Sequence, residues 1–307
     1  MKHYILRFTL FIIPVLAILV ALECLLQRIP NDYSFKHDRM ISDGTDFQFL
    51  VLGSSHAYQG IDPAEMQVSG FNASNVSQDI HFDRYLLEKY IAYMPNVKDL
   101  FLTVSYQSLL KKLDDGPESW RVKNYVIYMD ATHEPFTLKE HFELLNRPLL
   151  ENIEQAYHSL RGASNKACTA SGAGWRVGLS EKDIVEDGEI AAKRHTLGQQ
   201  HLDQILNDFH AMVTFAQDRG IRVHLITTPV SLAYRSHLDP VQLELVKSTC
   251  SAYATRFPQV DYSDLMDDGR FVLEDFYDAD HLSRSGQIKL SQILADLFLA
   301  PHVDAEK

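Results

Sequence analysis

Two short stretches of this sequence hold side chains able to do chemistry together. One is Gly53-Ser54-Ser55-His56, entered directly from an apolar run, Phe49-Leu50-Val51-Leu52. The other is Phe276–Leu290 (FYDADHLSRSGQIKL), where Asp278 and His281 stand two residues apart and Gly286 leads into an apolar helix. A serine hydroxyl is a poor nucleophile until an imidazole takes its proton, and the imidazole needs a carboxylate to orient it. An Asp-x-x-His turn can bring carboxylate and imidazole to one place, and an early serine turn can supply the hydroxyl. Taken alone, Gly53–His56 reads equally well as a turn whose serine caps the next helix.

The elements that must position these groups are legible around them. An apolar run of this length bounded by a glycine turn reads as a buried strand of a parallel sheet. Ligands of open α/β sheets bind at the carboxyl ends of the strands, where Ser54, Ser55 and His56 would sit. Further strands are expected near 48–52, 99–104, 222–227 and 259–262. Helices are expected over Phe82–Met94, over Ala191–Arg219 as a pair or one long helix, and over Asp239–Phe257 with Asp239-Pro240 as cap and first turn. Strands alternating with helices predict a three-layer α/β fold with a mostly parallel sheet.

In this order, the two motifs make the chain resemble the SGNH (GDSL-type) hydrolases over about Phe47 to Ala300. In that family a Gly-Asp-Ser-like turn after the first strand carries the nucleophile, and a C-terminal Asp-x-x-His supplies acid and base. By position the resemblance makes Ser55 the nucleophile, Asp278 the acid and His281 the base, with Ser54 and His56 beside them. It also implies a strand near residue 70. A second family block provides a glycine N–H for the oxyanion; here Ser74, Asn75 and Ser77 stand in its place. A third block provides an Asn after the next strand. This chain has Ser105-Tyr106-Gln107-Ser108 instead, so Ser105, Tyr106 or Gln107 must substitute or the oxyanion hole is incomplete.

Before this region lies an apolar stretch, Phe8–Leu22, extending to Leu26 apart from Glu23. A membrane-spanning helix needs about 20 mostly apolar residues. The stretch reads as an uncleaved signal-anchor over 1–27 in preference to a cleaved signal, because Ala21-Leu22-Glu23 is a poor cleavage site. Pro14 is tolerable in such a helix. Cys24 does not read as a lipidation site, since Glu23 precedes it. Residues 28–46, with Pro30, Asn31, Asp32 and Gly44, read as a tether, or as a packed first element around Tyr33–Phe35. Residues 47–307 then form the SGNH-like domain, with about 109–190 as an insertion or lid region.

The chain has 307 residues and a formal net charge of -12, with 41 acidic against 29 basic residues. No strongly basic run occurs, which argues against nucleic acid as a partner. Three cysteines are present, of which Cys168 and Cys250 could pair in an oxidising compartment. No clustered spacing of the 14 histidines or the cysteines points to a metal, and no cofactor is expected. Gly162–Val177 reads as a loop and Thr137–Leu160 as helical, interrupted at Pro148. Tyr106, Trp120, Tyr125 and Trp175 could offer flat faces to carbohydrate or could be core; Arg194, His195, Tyr234 and Arg235 are equally ambiguous between substrate contact and surface.

The functional expectation is a serine esterase or O-acyltransferase tethered to the inner membrane, with its soluble domain in the periplasm or outside the cell. The resemblance inclines this toward acyl, in particular acetyl, esters of cell-surface polysaccharide or other acylated carbohydrate, with a membrane-bound acyltransferase as a partner. The competing expectation is a protein that keeps the fold without turnover and serves polysaccharide binding or export assembly.

Overall fold

The computed structural model describes residues 2–176 and 181–299. Their helices are α1 (Lys2–Gln27), α2 (Asp32–Ser42), α3 (Ser55–Gly60), α4 (Ile80–Tyr90), α5 (Val122–Met129), α6 (Leu149–Leu160), α7 (Glu181–His195), α8 (Leu202–Gln217), α9 (Leu232–Arg235), α10 (Pro240–Arg256) and α11 (Arg284–Phe298). The strands are β1 (Phe49–Leu52), β2 (Gly70–Asn72), β3 (Asp99–Thr103), β4 (Arg222–Thr227) and β5 (Val260–Asp264). The chain divides into two compact units, Met1–His37 with Pro117–Ala167, and Asp38–Gly116 with Cys168–Lys307.

The larger unit is built on one five-stranded sheet of order β2-β1-β3-β4-β5, every adjacent pair parallel. All positions of β1 and β3 are buried, as a parallel sheet covered on both faces requires. One face is covered by α3 and α11, which pack on each other; Phe49, Val51 and Phe101 cluster there with Leu290 and Leu294 of α11. On the other, α4 packs on α8, and Phe209 of α8 meets the Tyr253 ring of α10 at 4.7 Å. This is the three-layer α/β fold expected, with a wholly parallel sheet. The strand order reverses between β1 and β3, so the crevice of such a fold opens at the carboxyl end of β1.

Local chemistry explains where the elements start. Asp79 caps α4 by accepting from the Phe82 N–H at 3.0 Å, and Asp239 caps α10 by accepting from Val241 and Gln242 at 2.9 Å each. The expected helix pair is two helices, α7 and α8, with Arg194 and His195 in the last turn of α7. The glycine-rich loop is irregular through Arg176; Val177 and the rest of 177–180 lie outside the described residues. Cys168 and Cys250 are buried and form no disulfide, and burial pushes the Cys250 thiol up to about 12.

The smaller unit contains α1, α5 and α6. By length and composition α1 could cross a membrane or serve as a signal sequence; its apolar window has a mean hydropathy of 2.7. The last turns of α1 are engaged in the unit. Leu26 and Ile29 cluster with Ala156 of α6, alongside Leu22, Leu25 and Leu144. The buried Glu23 carboxylate accepts from the backbone N–H groups of Glu143 (2.8 Å) and Leu144 (2.9 Å), at the start of a short helical turn whose orphan amides favour an anion. Thr137–Leu160 holds two such 3-10 turns and then α6, which begins directly after Pro148. Within 28–46, residues 32–42 are helical where an irregular tether was the first reading. Tyr33, Lys36 and Met40 fall on one buried face at i, i+3, i+7 spacing, which gives this stretch a reason to be helical that its polar composition hides.

Candidate active site

Ser55 is the first residue of α3, reached from β1 through Gly53 and Ser54. Gly53 has φ +129°, and a Cβ there would lie 2.1 Å from Thr103 Oγ1 of the neighbouring β3, so only glycine permits this turn. Its N–H donates to Asp83 Oδ1 of α4 at 2.8 Å. Burial raises the Asp83 carboxyl to about 7, against the hydrogen bond from Gln78. From the other side, Asn72 at the end of β2 donates to the carbonyls of Ala57 (2.9 Å) and Ile61 (2.7 Å), fastening α3.

The second half comes from the turn before α11. Asp278 Oδ1 accepts from the backbone N–H groups of Asp280 (3.1 Å) and His281 (2.8 Å), closing a tight loop. Phe276 and Leu282 bridge its base, and the Tyr277 N–H donates to the His281 carbonyl at 2.9 Å. Gly286 lets α11 approach this loop: a Cβ would meet the Asp275 carbonyl at 2.1 Å. Arg284 reaches Asp62 and Glu65, each at 2.6 Å, tying the loop to the segment that follows α3.

The two turns meet. Ser55 Oγ lies 2.8 Å from His281 Nε2, and His281 Nδ1 lies 2.9 and 3.0 Å from the two oxygens of Asp278. This is hydrogen-bond geometry for nucleophile, base and orienting carboxylate in one chain of contacts. As the first helical residue, Ser55 also has a backbone N–H with no intrahelical acceptor.

Behind His281 lies a second carboxylate that the sequence reading did not single out. Asp280 is buried, with Oδ1 3.4 Å from His281 Nδ1 and Oδ2 3.1 Å from His56 Nε2. His56 stacks on His281 with ring centres 4.8 Å apart and planes 9° apart, and its Nδ1 faces Ser54 Oγ at 3.4 Å. His195 Nδ1 lies 3.6 Å from Asp280 and 2.9 Å from the Tyr234 hydroxyl. Burial holds the His195 ring neutral, down to about 3, while burial raises the Tyr234 hydroxyl. Burial works against a charge on His281 as well, but the Asp280 charge and the Asp278 hydrogen bond outweigh it and raise the ring to about 10. Asp280 itself is held well below the ordinary carboxylate range: burial works against the charge, and the facing His281 and His56 overcome it. His195 and Tyr234, ambiguous in sequence, are therefore buried members of this network.

His56, Asp280 and His281 offer donor atoms within 4.8 Å of one another, a grouping that no sequence spacing indicated. Both His281 nitrogens are engaged, one by Ser55 and one by Asp278, and a neutral imidazole has a single lone pair to give.

The oxyanion candidates divide. Ser74 donates from both N–H and hydroxyl to Asn72, and the Asn75 amide donates to Gln78 Oε1 at 2.9 Å, so both turn inward. Ser77 is buried in a left-handed conformation, φ +64°. The Ser105 N–H is taken by Ser108 Oγ at 2.9 Å, and the Tyr106 hydroxyl sits between Thr196 and the Asp239 N–H, both at 3.0 Å. Gln107 and Ser54 line one cavity of about 10 Å3 with Thr103 and Asp83. Of the aromatic candidates, Tyr106 and Tyr125 are core, while Trp120 and Trp175 are exposed. Arg235 pairs with Asp267.

No family model and no curated protein matches the chain. Among solved structures it is similar to a candidate platelet activating factor from Streptococcus pneumonia, at 15% identity and a TM-score of 0.43 over 94% of this chain and 98% of that one. It is also similar to a candidate lipolytic protein of the G-D-S-L family from Desulfitobacterium hafniense (12%, TM-score 0.42, 82% and 99%). A GDSL-like lipase from Bacteroides thetaiotaomicron matches at 9% and a TM-score of 0.39, over 85% and 91%.

Proposed function

We propose that this chain is an SGNH-type serine esterase or O-acyltransferase, tethered to the inner membrane through α1, that acts on acyl esters of carbohydrate. One observation carries the chemistry: the contact series Ser55 Oγ, His281 Nε2, His281 Nδ1 and Asp278, with the distances above. Ser55 Oγ attacks the ester carbonyl as its proton passes to His281 Nε2. The tetrahedral oxyanion faces the first-turn N–H of α3. His281 then returns the proton to the departing alcohol, leaving an acyl-serine. Water or a sugar hydroxyl, deprotonated by the same imidazole, takes the acyl group and frees Ser55. The acceptor alone separates hydrolysis from transfer.

A carbohydrate substrate is favoured by Trp175, exposed on a strap pinned to both halves of the site. The Gly174 N–H donates to the Tyr58 carbonyl of α3 at 2.9 Å, and Gln287 of α11 donates to the Gly174 carbonyl at 2.7 Å. Arg176, next along, places its guanidinium over the Tyr277 ring at 5.0 Å, one residue from Asp278. An exposed flat aromatic beside a catalytic turn suits the apolar face of a sugar ring. Retention of α1 as an anchor is favoured by Glu23 and Leu26, which are integral to the smaller unit and would be lost from it by cleavage after them. With the soluble domain outside the cytoplasm, surface polysaccharide is the substrate class and a membrane-bound acyltransferase the partner that would supply or share acyl groups.

The test is labelling of the full chain by a fluorophosphonate probe. Wild type is expected to label and Ser55→Ala to be silent with an unchanged thermal transition. Labelling that survives in Ser55→Ala defeats the assignment.

A further inference from the structure

Helix α6 carries its apolar side outward. At about 100° per residue, Leu149, Leu150, Ile153, Tyr157 and Leu160 fall on an arc of about 100°. All five are exposed, Leu150 at 80% and Leu160 at 71%. The residues that α6 buries are Asn152 and Ala156, immediately beside that arc, while Glu151, Glu154 and His158 occupy the opposite side. A water-soluble protein would place such a stripe in its core. An amphipathic helix whose apolar face points away from its own unit is built for a second apolar medium.

What that medium is follows from what α6 rests on. Ala156 packs against Leu26 and Ile29, with Leu22 and Leu25 alongside, and the preceding turn is latched to Glu23. These are the last turns of α1, where its exposed apolar span gives way to the folded unit. The stripe therefore continues the apolar surface of α1 at the level where a spanning helix leaves the hydrocarbon. Leu145, exposed on the turn latched to Glu23, extends it. Arg147 and Arg161 bracket α6, and the Arg161 guanidinium lies over the Tyr157 ring at 4.5 Å. Tyr and Arg at the ends of an apolar helix face match the headgroup boundary.

We infer that α6 is a monotopic helix lying in the interfacial layer of the same bilayer that α1 crosses, its stripe among the acyl chains. This rests on the anchor reading of α1. The smaller unit thus holds the membrane twice, by a spanning helix and by a helix in the plane, which fixes its tilt where one span alone would leave it free to swing.

The experiment uses the full chain with Cys24→Ala, labelled with an environment-sensitive fluorophore at single introduced cysteines. The vesicles are phosphatidylcholine and phosphatidylglycerol, with or without acyl-brominated lipid. Leu150→Cys and Ile153→Cys are expected to lose most of their emission to brominated lipid and little to aqueous iodide. Glu154→Cys, on the polar side, is expected to do the reverse. Leu16→Cys reports α1 alone. If Leu16→Cys is quenched by lipid while Leu150→Cys is quenched by iodide, the inference is overturned and the anchor stands. If Leu150→Cys is shielded from both quenchers, a protein partner covers the stripe and the inference is equally overturned. If Leu16→Cys is not quenched by lipid, the anchor reading fails and this inference falls with it.

Discussion

Leu290 and Leu294 of α11 are wholly buried against the sheet, whereas Leu150 and Leu160 of α6 stand exposed on helices of similar length. The sheet unit sends large apolar side chains inward and brings Asp278, the buried Asp280 and three histidines together at one rim. The α1–α6 unit does the opposite, keeping a carboxylate inside, at Glu23, and presenting Leu, Ile and Tyr outward. Residue type alone does not decide burial. The medium that each face is built to meet does: in one unit water surrounds a core, while in the other, on the proposal above, lipid would be part of the solvent.

The sharpest break in this comparison is at the rim. Ser55→Ala and His281→Ala are each expected to lower ester turnover by on the order of 10⁴-fold or more with thermal unfolding unchanged. Asp278→Asn should cost less than the roughly 10⁴-fold known for such a change elsewhere, because Asp280 stands 3.4 Å from the same His281 nitrogen. Turnover of a short-chain acyl ester checks the order, and equal turnover in all of them would sink the catalytic reading.

Next comes a matched pair of truncations. Leu290→Ala should destabilise by about 2–5 kcal/mol, having lost buried contacts on every side. Leu150→Ala should change stability in detergent by less than about 0.5 kcal/mol. Similar losses in thermal melts of the two variants would mean that α6 is covered by protein.

Gly53→Ala should cost about 1–3 kcal/mol, since alanine must adopt φ +129° and displace Thr103. Its activity should fall further than its stability, because the displaced turn carries Ser55; a variant that melts early yet turns over normally would contradict this.

The most specific effect is on pH. Only the neutral imidazole can accept the Ser55 proton. With His281 raised to about 10, activity should climb with pH well past neutrality. Asp280→Asn removes the charge that holds the proton on the ring, so the rising limb should move to lower pH by about one to three units. A rising limb unmoved in Asp280→Asn would show that Asp280 does not act through His281.

Much of this was legible in one dimension for a definable reason. β1 and β3 announce themselves by composition, since strands buried on both faces leave mostly apolar runs. Gly53, Gly286 and the Asp278–His281 pair are visible because backbone geometry and a three-residue turn are local. The face of α2 was not, because Lys36 is a core residue only once the chain has folded around it. β2, three residues long, drew its expectation from the family and not from its own pattern.

What the sequence by itself determined was the Gly53–His56 turn, the Asp-x-x-His turn, the apolar N-terminal stretch and the parallel α/β class, all set by patterns within a few residues. Only the tertiary structure decided that Asp280, His56, His195 and Tyr234 form one proton-sharing cluster. Their partners lie 224 positions apart between His56 and Asp280 and 39 between His195 and Tyr234, joined by strand order rather than by spacing. It also decided which way α6 faces. An amphipathic pattern specifies that a helix has an apolar side, and the packing of Ala156 on Leu26 turns that side away from the protein.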